Sequence, residues 1–246
     1  MRTPGKIALQ CAIRGAFSDA TGRYGGEAAA IMTSGNLEYE LRPSAGDPEG
    51  ALILMHGRGV DQFDLAPLLD ILDPQRRLLG ITPGGPITDL PPGGRHWYAI
   101  RQVGFPDPAT FRLTYGQLTG FLDRLLEEHG VGWERTVLGG FSQGGVMGYA
   151  CGLGHGRPRP AGILALSCFI PEVEGWSPDP ELARGLPVFH AHGVADNVIP
   201  VEFARKARDT LTALGADLSY HETPMPHAID PRLLPEAAEW VLERTP

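Results

Sequence analysis

Between positions 139 and 145 the chain reads Gly-Gly-Phe-Ser-Gln-Gly-Gly, which puts Ser142 at the centre of a Gly-x-Ser-x-Gly pentapeptide, with Gly140 and Gly144 two residues to either side. A serine in this setting belongs to a sharp turn from a strand into a helix, where small residues let the backbone crowd without a clash. The flanks agree with that turn. Residues 135–139 (Arg-Thr-Val-Leu-Gly) form a plausible buried strand, and residues 144–151 a plausible packed helix start. With 33 glycines in the chain, the pentapeptide also arises in a plain Gly-rich turn. Its meaning therefore depends on what the rest of the chain supplies.

The alternation around it argues for one architecture. Residues 37–41 (Leu-Glu-Tyr-Glu-Leu) alternate apolar and polar side chains as a half-buried edge strand does. Residues 51–55 (Ala-Leu-Ile-Leu-Met) are uniformly apolar, as a strand buried on both faces would be. Residues 61–72 carry apolar side chains at helical spacing, and 77–81 form a second buried strand. A long amphipathic helix is expected over 111–129, further strands over 161–166, 187–192 and 216–220, and helices over 202–214 and 232–243. Strands alternating with helices predict an α/β fold with a mostly parallel sheet covered on both faces. Residues 82–108 contain Pro-Gly-Gly-Pro and Pro-Pro-Gly-Gly without a helical period and read as a long loop. Long connections of this kind are often functional.

At 246 residues, 42% hydrophobic and 20% charged, the chain has the composition of a globular protein with one large core. Residues 1–34 show no sustained period and read as an irregular or disordered leader ahead of a single domain over 35–246. Met32 is a candidate alternative start, with a functional N-terminal arm as the other reading. A net charge of −8 offers no basic face for phosphates, so nucleic acid is not an expected partner. Cys11, Cys151 and Cys168 are too few and scattered for a disulfide framework or a zinc site, and the latter two fall in apolar stretches that read as core. No apolar run approaches the length of a membrane span. The run over 7–13 is broken by Gln10, closed by Arg14, and short for a secretory signal. The expectation is a cytoplasmic protein with no integral membrane segment. Its oligomeric state is open, a homodimer included.

A serine hydroxyl needs a base to take its proton and a group to orient that base. In folds with this turn the chain order is Ser, acid, His. Asp196 lies just beyond the strand signal at 187–192, after the easing Gly193, and His227 lies beyond the final strand and ahead of the last helix. Asp196 is also placed to start a turn or cap the helix near Pro200. Of the eight histidines, His129 and His155 read as surface residues, His190 and His192 as strand residues of the core, and His221 as too early to reach back. The developing oxyanion needs two backbone N–H groups. Gln143, after the serine, supplies one. Arg58, in the loop Leu-Met-His-Gly-Arg-Gly over 54–59, supplies the other, with His56 read as structural.

With these residues in place, the chain resembles the phospholipase/carboxylesterase branch of the α/β-hydrolases, which includes the acyl-protein thioesterases. The resemblance runs from about 37 to 242 and rests on ordered motifs: His56-Gly57, Pro86-Ile87-Thr88, Trp97-Tyr98, the Gly-Phe-Ser-Gln-Gly-Gly box, His192-Gly193 with Asp196, and Met225 with His227. It implies the α/β-hydrolase fold, a Ser142, Asp196, His227 triad, an oxyanion hole from the Arg58 and Gln143 amides, and no metal or cofactor. It also implies that Trp97 and nearby loop residues line the acyl-binding groove. The chain departs from the family pattern at Arg58, where an aliphatic residue is usual, at Ala99, where an Asp usually follows, and at Pro226, where a Gly usually precedes the histidine. The expected activity is cleavage of small-molecule carboxylic esters through an acyl-enzyme. Thioesterase or lysophospholipase activity is the alternative within enzymes, and a non-catalytic ligand-binding homologue the alternative outside them.

Overall fold

The computed structural model describes residues 32–34 and 37–245. The leader expected over 1–34 lies outside the described residues, except for Met32–Ser34, which form a short strand, β1. It pairs antiparallel with β2 (Leu37–Arg42). The strand expected at the sheet edge is thus one place in from it.

The uniformly apolar runs become the centre of the sheet. In β3 (Gly50–Met55), β4 (Leu78–Pro83) and β7 (Thr136–Phe141) every residue is buried. With β8 (Gly162–Leu166), β9 (Pro187–Gly193) and β10 (Asp217–Thr223) they complete an eight-stranded sheet of order β1-β2-β4-β3-β7-β8-β9-β10. Every pairing from β4 to β10 is parallel, while β2 joins β4 antiparallel. Because side chains alternate across a strand, β3 feeds two cores. Ala51, Ile53 and Met55 pack on one face with Phe111, Leu118, Leu122 and Val146. Leu52 and Leu54 pack on the other with Leu68, Leu69, Trp240 and Val241. The first face is covered by α2 (Pro108–Glu128), α3 (Gln143–Leu153) and α5 (Val201–Ala213), and the second by α1 (Ala66–Leu72) and α6 (Leu234–Glu243).

Two local expectations change. The helix expected over 61–72 begins only at Ala66, because the Asp61 carboxylate accepts the Phe63 N–H and its carbonyl accepts the Asp64 N–H, forming a turn ahead of Pro67. The helix expected from 111 starts three residues earlier, where Asp107 caps it by accepting the Thr110 N–H and Pro108 takes the first helical position. A four-residue helix, α4 (Pro180–Ala183), lies between the strands at 162–166 and 187–193, where the sequence pattern assigns no element.

The 82–108 segment is ordered rather than a free loop. It contains an antiparallel ribbon of β5 (Ile100–Gln102) and β6 (Phe105–Pro106). Backbone hydrogen bonds tie it down, with the Gly59 N–H donating to Arg95 O at 2.9 Å and the Arg95 N–H to Val60 O at 2.7 Å. The chain runs outward from β3 to β4 and then jumps back across β3 to β7. A crevice opens at such a reversal, beyond the carboxyl ends of the strands. Ser142 and the 56–59 loop both lie there.

Candidate active site

Ser142 sits between β7 and α3 with φ +55° and ψ −121°, a backbone conformation a side-chain-bearing residue rarely adopts. Close packing enforces it. A Cβ on Gly144 would come 2.0 Å from Met55 O and 2.5 Å from His56 O, and one on Gly140 would come 2.5 Å from the Gly144 backbone. The Ser142 N–H is held by Leu166 O at 2.9 Å. Ser142 occupies the N-cap position of α3 without using its side chain there, so Oγ is left for other work.

That work is a hydrogen bond to His227, whose Nε2 lies 2.9 Å from Ser142 Oγ. His227 Nδ1 is 2.6 Å from Asp196 Oδ2. Three residues separated by up to 85 positions thus form one hydrogen-bonded chain. The Phe141 ring lies against the His227 imidazole, with centroids 4.8 Å apart. Asp196 serves its turn as well as the histidine: Oδ1 accepts the Val198 and Ile199 N–H groups, each at 2.8 Å. It does not cap α5, whose N-cap is Pro200. Burial alone would raise the Asp196 pKa. Hydrogen bonds from His192 and His227, electrostatic interaction with His227 and the Ile199 N–H outweigh that and hold the carboxyl well below the usual carboxylate range.

The loops that carry Asp196 and His227 fit each other through a glycine. A Cβ on Gly193 would lie 2.1 Å from Met225 O, and the Ala195 N–H donates to that same carbonyl. Two further residues support the pair: Ser167, which carried no sequence signal, and His192, which stands in the His192-Gly193 motif. Ser167, with φ +49°, donates its hydroxyl to Ala228 O at 3.3 Å, next in the chain to His227. His192 Nε2 lies 2.9 Å from Ile199 O and 3.4 Å from Asp196 Oδ2.

His56 is a fixed neutral imidazole. Its Nδ1 donates to Gly57 O at 2.7 Å and its Nε2 accepts the Gly85 N–H at 2.8 Å. Burial pushes its pKa down to about 4. Gln143 does more with its side chain than the reading of its backbone anticipates: Oε1 accepts the Trp97 N–H at 2.8 Å and Nε2 donates to Tyr98 O at 2.7 Å, clamping the 82–108 segment over the turn. Its own N–H stands at the first position of α3, where no intrahelical acceptor exists.

Gly57, Arg58, Ser142, Gln143 and His227 line one cavity of about 280 Å³. The larger cavity wall is apolar, from Tyr98, Ile100, Val103, Phe105, Phe169 and Val198. Trp97, expected in that wall, is not in it. The ring is fully buried behind the 54–59 loop, with Nε1 donating to His56 O at 2.8 Å. An indole N–H that finds a buried carbonyl is drawn into the core. Cys151 and Cys168 are buried free thiols, as expected, and burial raises the pKa of both.

Among the described residues no helix is long and apolar enough to cross a membrane. Comparison with known proteins places this geometry among relatives. The chain is 34% identical over 123 residues to acyl-protein thioesterase 1 of Neurospora crassa, a match covering 48% of this chain and 50% of that protein. It thus spans about half the length of that relative. Acyl-protein thioesterase 1 of Gibberella zeae is 26% identical over 235 residues, covering 87% of this chain and 99% of the other. Among solved structures, the Bacillus cereus carboxylesterase superposes with a TM-score of 0.74 at 20% identity, over 85% of this chain and 94% of that one. A family model described as Phospholipase/Carboxylesterase matches residues 39–243, from β2 to the end of α6 and across Ser142, Asp196 and His227 alike. By the extent of that match, the chain belongs to the phospholipase/carboxylesterase family of α/β-hydrolases.

Proposed function

We propose that this protein is a serine carboxylesterase that cleaves small esters through an acyl-enzyme. The observation that carries the reading is the continuous Ser142–His227–Asp196 hydrogen-bond chain, set at a strained turn and opening into an apolar cavity. In it His227 Nε2 takes the Ser142 proton as Oγ attacks the ester carbonyl, and Asp196 holds the imidazole in the tautomer whose Nε2 is free to accept. The Arg58 and Gln143 N–H groups stabilise the oxyanion, the latter with the positive end of α3 behind it. His227 returns its proton to the leaving alkoxide, then activates the water that releases the acid.

The apolar wall favours an aliphatic acyl group, and the cavity, at about 280 Å³, lies just below the usual range for ligand sites. The thioesterase names of the curated relatives support a second reading, in which the same acyl-enzyme forms from a thioester. The reading assigns catalysis to one domain over 35–246 and locates the protein in the cytoplasm. A fluorophosphonate probe tests it. Ser142 should be labelled and Ser142→Ala should not; label persisting in Ser142→Ala, or absent from the wild type, would sink the proposal.

A further inference from the structure

Phe169, just beyond β8, lines the cavity that holds Ser142 and also a second cavity of about 130 Å³. It is the one described residue shared by the two walls. Its buried ring stands against that of Phe203 on α5, with centroids 5.6 Å apart. The β5–β6 ribbon presses on the same pair, since a Cβ on Gly104 at its tip would come 2.3 Å from the Phe203 ring. Ile170, Pro171, Phe203 and Ala207 give the second cavity an apolar lining, and an ion pair of Lys206 with Glu172 stands at its exposed margin. The proposed reaction makes no use of this second space.

Which part of an ester points at Phe169 follows from the proton transfers. His227 returns a proton to the leaving oxygen, so the alcohol lies beside His227 Nε2. His227 packs on Phe141, which belongs to the core on the second sheet face, whereas Phe169 belongs to the core on the first. With the alcohol on one side of Ser142, the acyl chain runs to the other, towards Phe169. The distance is short along the backbone, because Leu166 O, three residues before Phe169, accepts the Ser142 N–H. Each methylene buried against an apolar wall stabilises a bound chain, but one driven into a close-packed aromatic ring forces the wall to shift.

We propose that Phe169 is a partition that sets the acyl chain length of the substrate, confining the chain to the Ser142 cavity and shutting it out of the second one, so that short-chain esters are favoured. The inference rests on the Ser142 esterase reading. Phe203 and the ribbon act through Phe169, by holding its ring across the opening.

The test uses p-nitrophenyl butyrate, octanoate and dodecanoate, which share a leaving group and differ in acyl length. The readout is the ratio of kcat/KM for dodecanoate to that for butyrate, which cancels changes common to both esters. In the wild type kcat/KM should fall steeply from octanoate to dodecanoate; a dodecanoate value equal to that of butyrate overturns the partition without any variant. Phe169→Ala, which joins the two cavities, should raise the ratio about tenfold or more, the gain from burying roughly two methylenes or more. Phe169→Leu, which keeps an apolar side chain for folding, should raise it less. Thr210→Trp sets an indole in the second cavity, and it should leave the wild-type ratio unchanged while cancelling the gain in Phe169→Ala. An unchanged ratio in folded Phe169→Ala or Phe169→Leu, or a gain that survives Thr210→Trp, overturns the partition and leaves the esterase reading standing. A gain along acetate esters of lengthening alcohols, with none along the acyl series, does the same. Failure of the wild type to hydrolyse butyrate, with Ser142 unlabelled by fluorophosphonate, removes the esterase reading itself.

Discussion

The floor of the site and its outer wall are built by opposite rules. On the floor, Gly140, Gly144 and Gly193 approach backbone carbonyls and each other so closely that a Cβ at any of them would come within 2.7 Å of another backbone atom. Ser142, His56 and Asp196 are buried there, their side chains fixed by hydrogen bonds. On the outer wall, Ile100, Val103, Phe105 and Val198 keep 36% to 51% of their surface exposed. Apolar side chains left that open are normal singly; gathered at a cavity mouth they mark a binding surface. The contrast separates geometry from selection. On the proposed reading, chemistry depends on atoms that cannot move, while substrate choice sits on side chains that can be exchanged without disturbing them.

Breaking the floor should have the largest effects. Ser142→Ala should lower kcat by about 10⁴- to 10⁶-fold, and Asp196→Asn by about 10⁴-fold with the fold intact, read by steady-state kinetics beside circular dichroism. Near-normal turnover in Asp196→Asn would mean that another acid orients His227. Gly144→Ala forces a Cβ against Met55 O and should cost more than about 4 kcal/mol, visible as loss of soluble protein or a collapsed denaturation midpoint.

A pH series sharpens the comparison from beneath the floor. His56 and His190 are buried, and burial lowers their pKa values to about 4 and about 3, against 6.5 in the unfolded chain. Below pH 6.5 the unfolded chain takes up protons that the folded one refuses, so stability is full above that pH and falls as pH drops towards 4. By pH 4.5 each imidazole should have withdrawn roughly 2–3 kcal/mol. Denaturant titrations at pH 7 and 4.5 check this, and an unchanged free energy would break it.

Changing the wall should give the smallest and most selective effect. Phe105→Ser should lower kcat/KM for long-chain esters by about tenfold or less, because the ring is already partly exposed, while acetate esters change little. An equal loss on acetate would show that the wall also supports the floor.

How much was legible beforehand follows the same divide. The Ser142 turn, the Ser, Asp, His order and the 54–59 loop could be read because each is a local pattern, a glycine spacing or an apolar run ending in a polar residue. The start of α1 at Ala66 was missed because the Asp61 side chain competes locally with helical hydrogen bonds. Trp97 was misplaced for a different reason. Its position is set by His56 O, 41 residues away, and by Gln143 Oε1, 46 residues away. No periodicity near Trp97 reports on either partner.

The sequence by itself determined the alternating α/β order, the buried parallel strands and the identity of the candidate nucleophile, acid and base, since these follow from side-chain type and spacing along the chain. Only the tertiary structure decided which side chains face the cavity. Gln143 draws the 82–108 segment over the turn, Trp97 rotates into the core, and the β5–β6 ribbon is left to form the wall. The physical reason is that a buried polar group must find a partner wherever the fold brings one within reach, and that partner can lie anywhere in the chain.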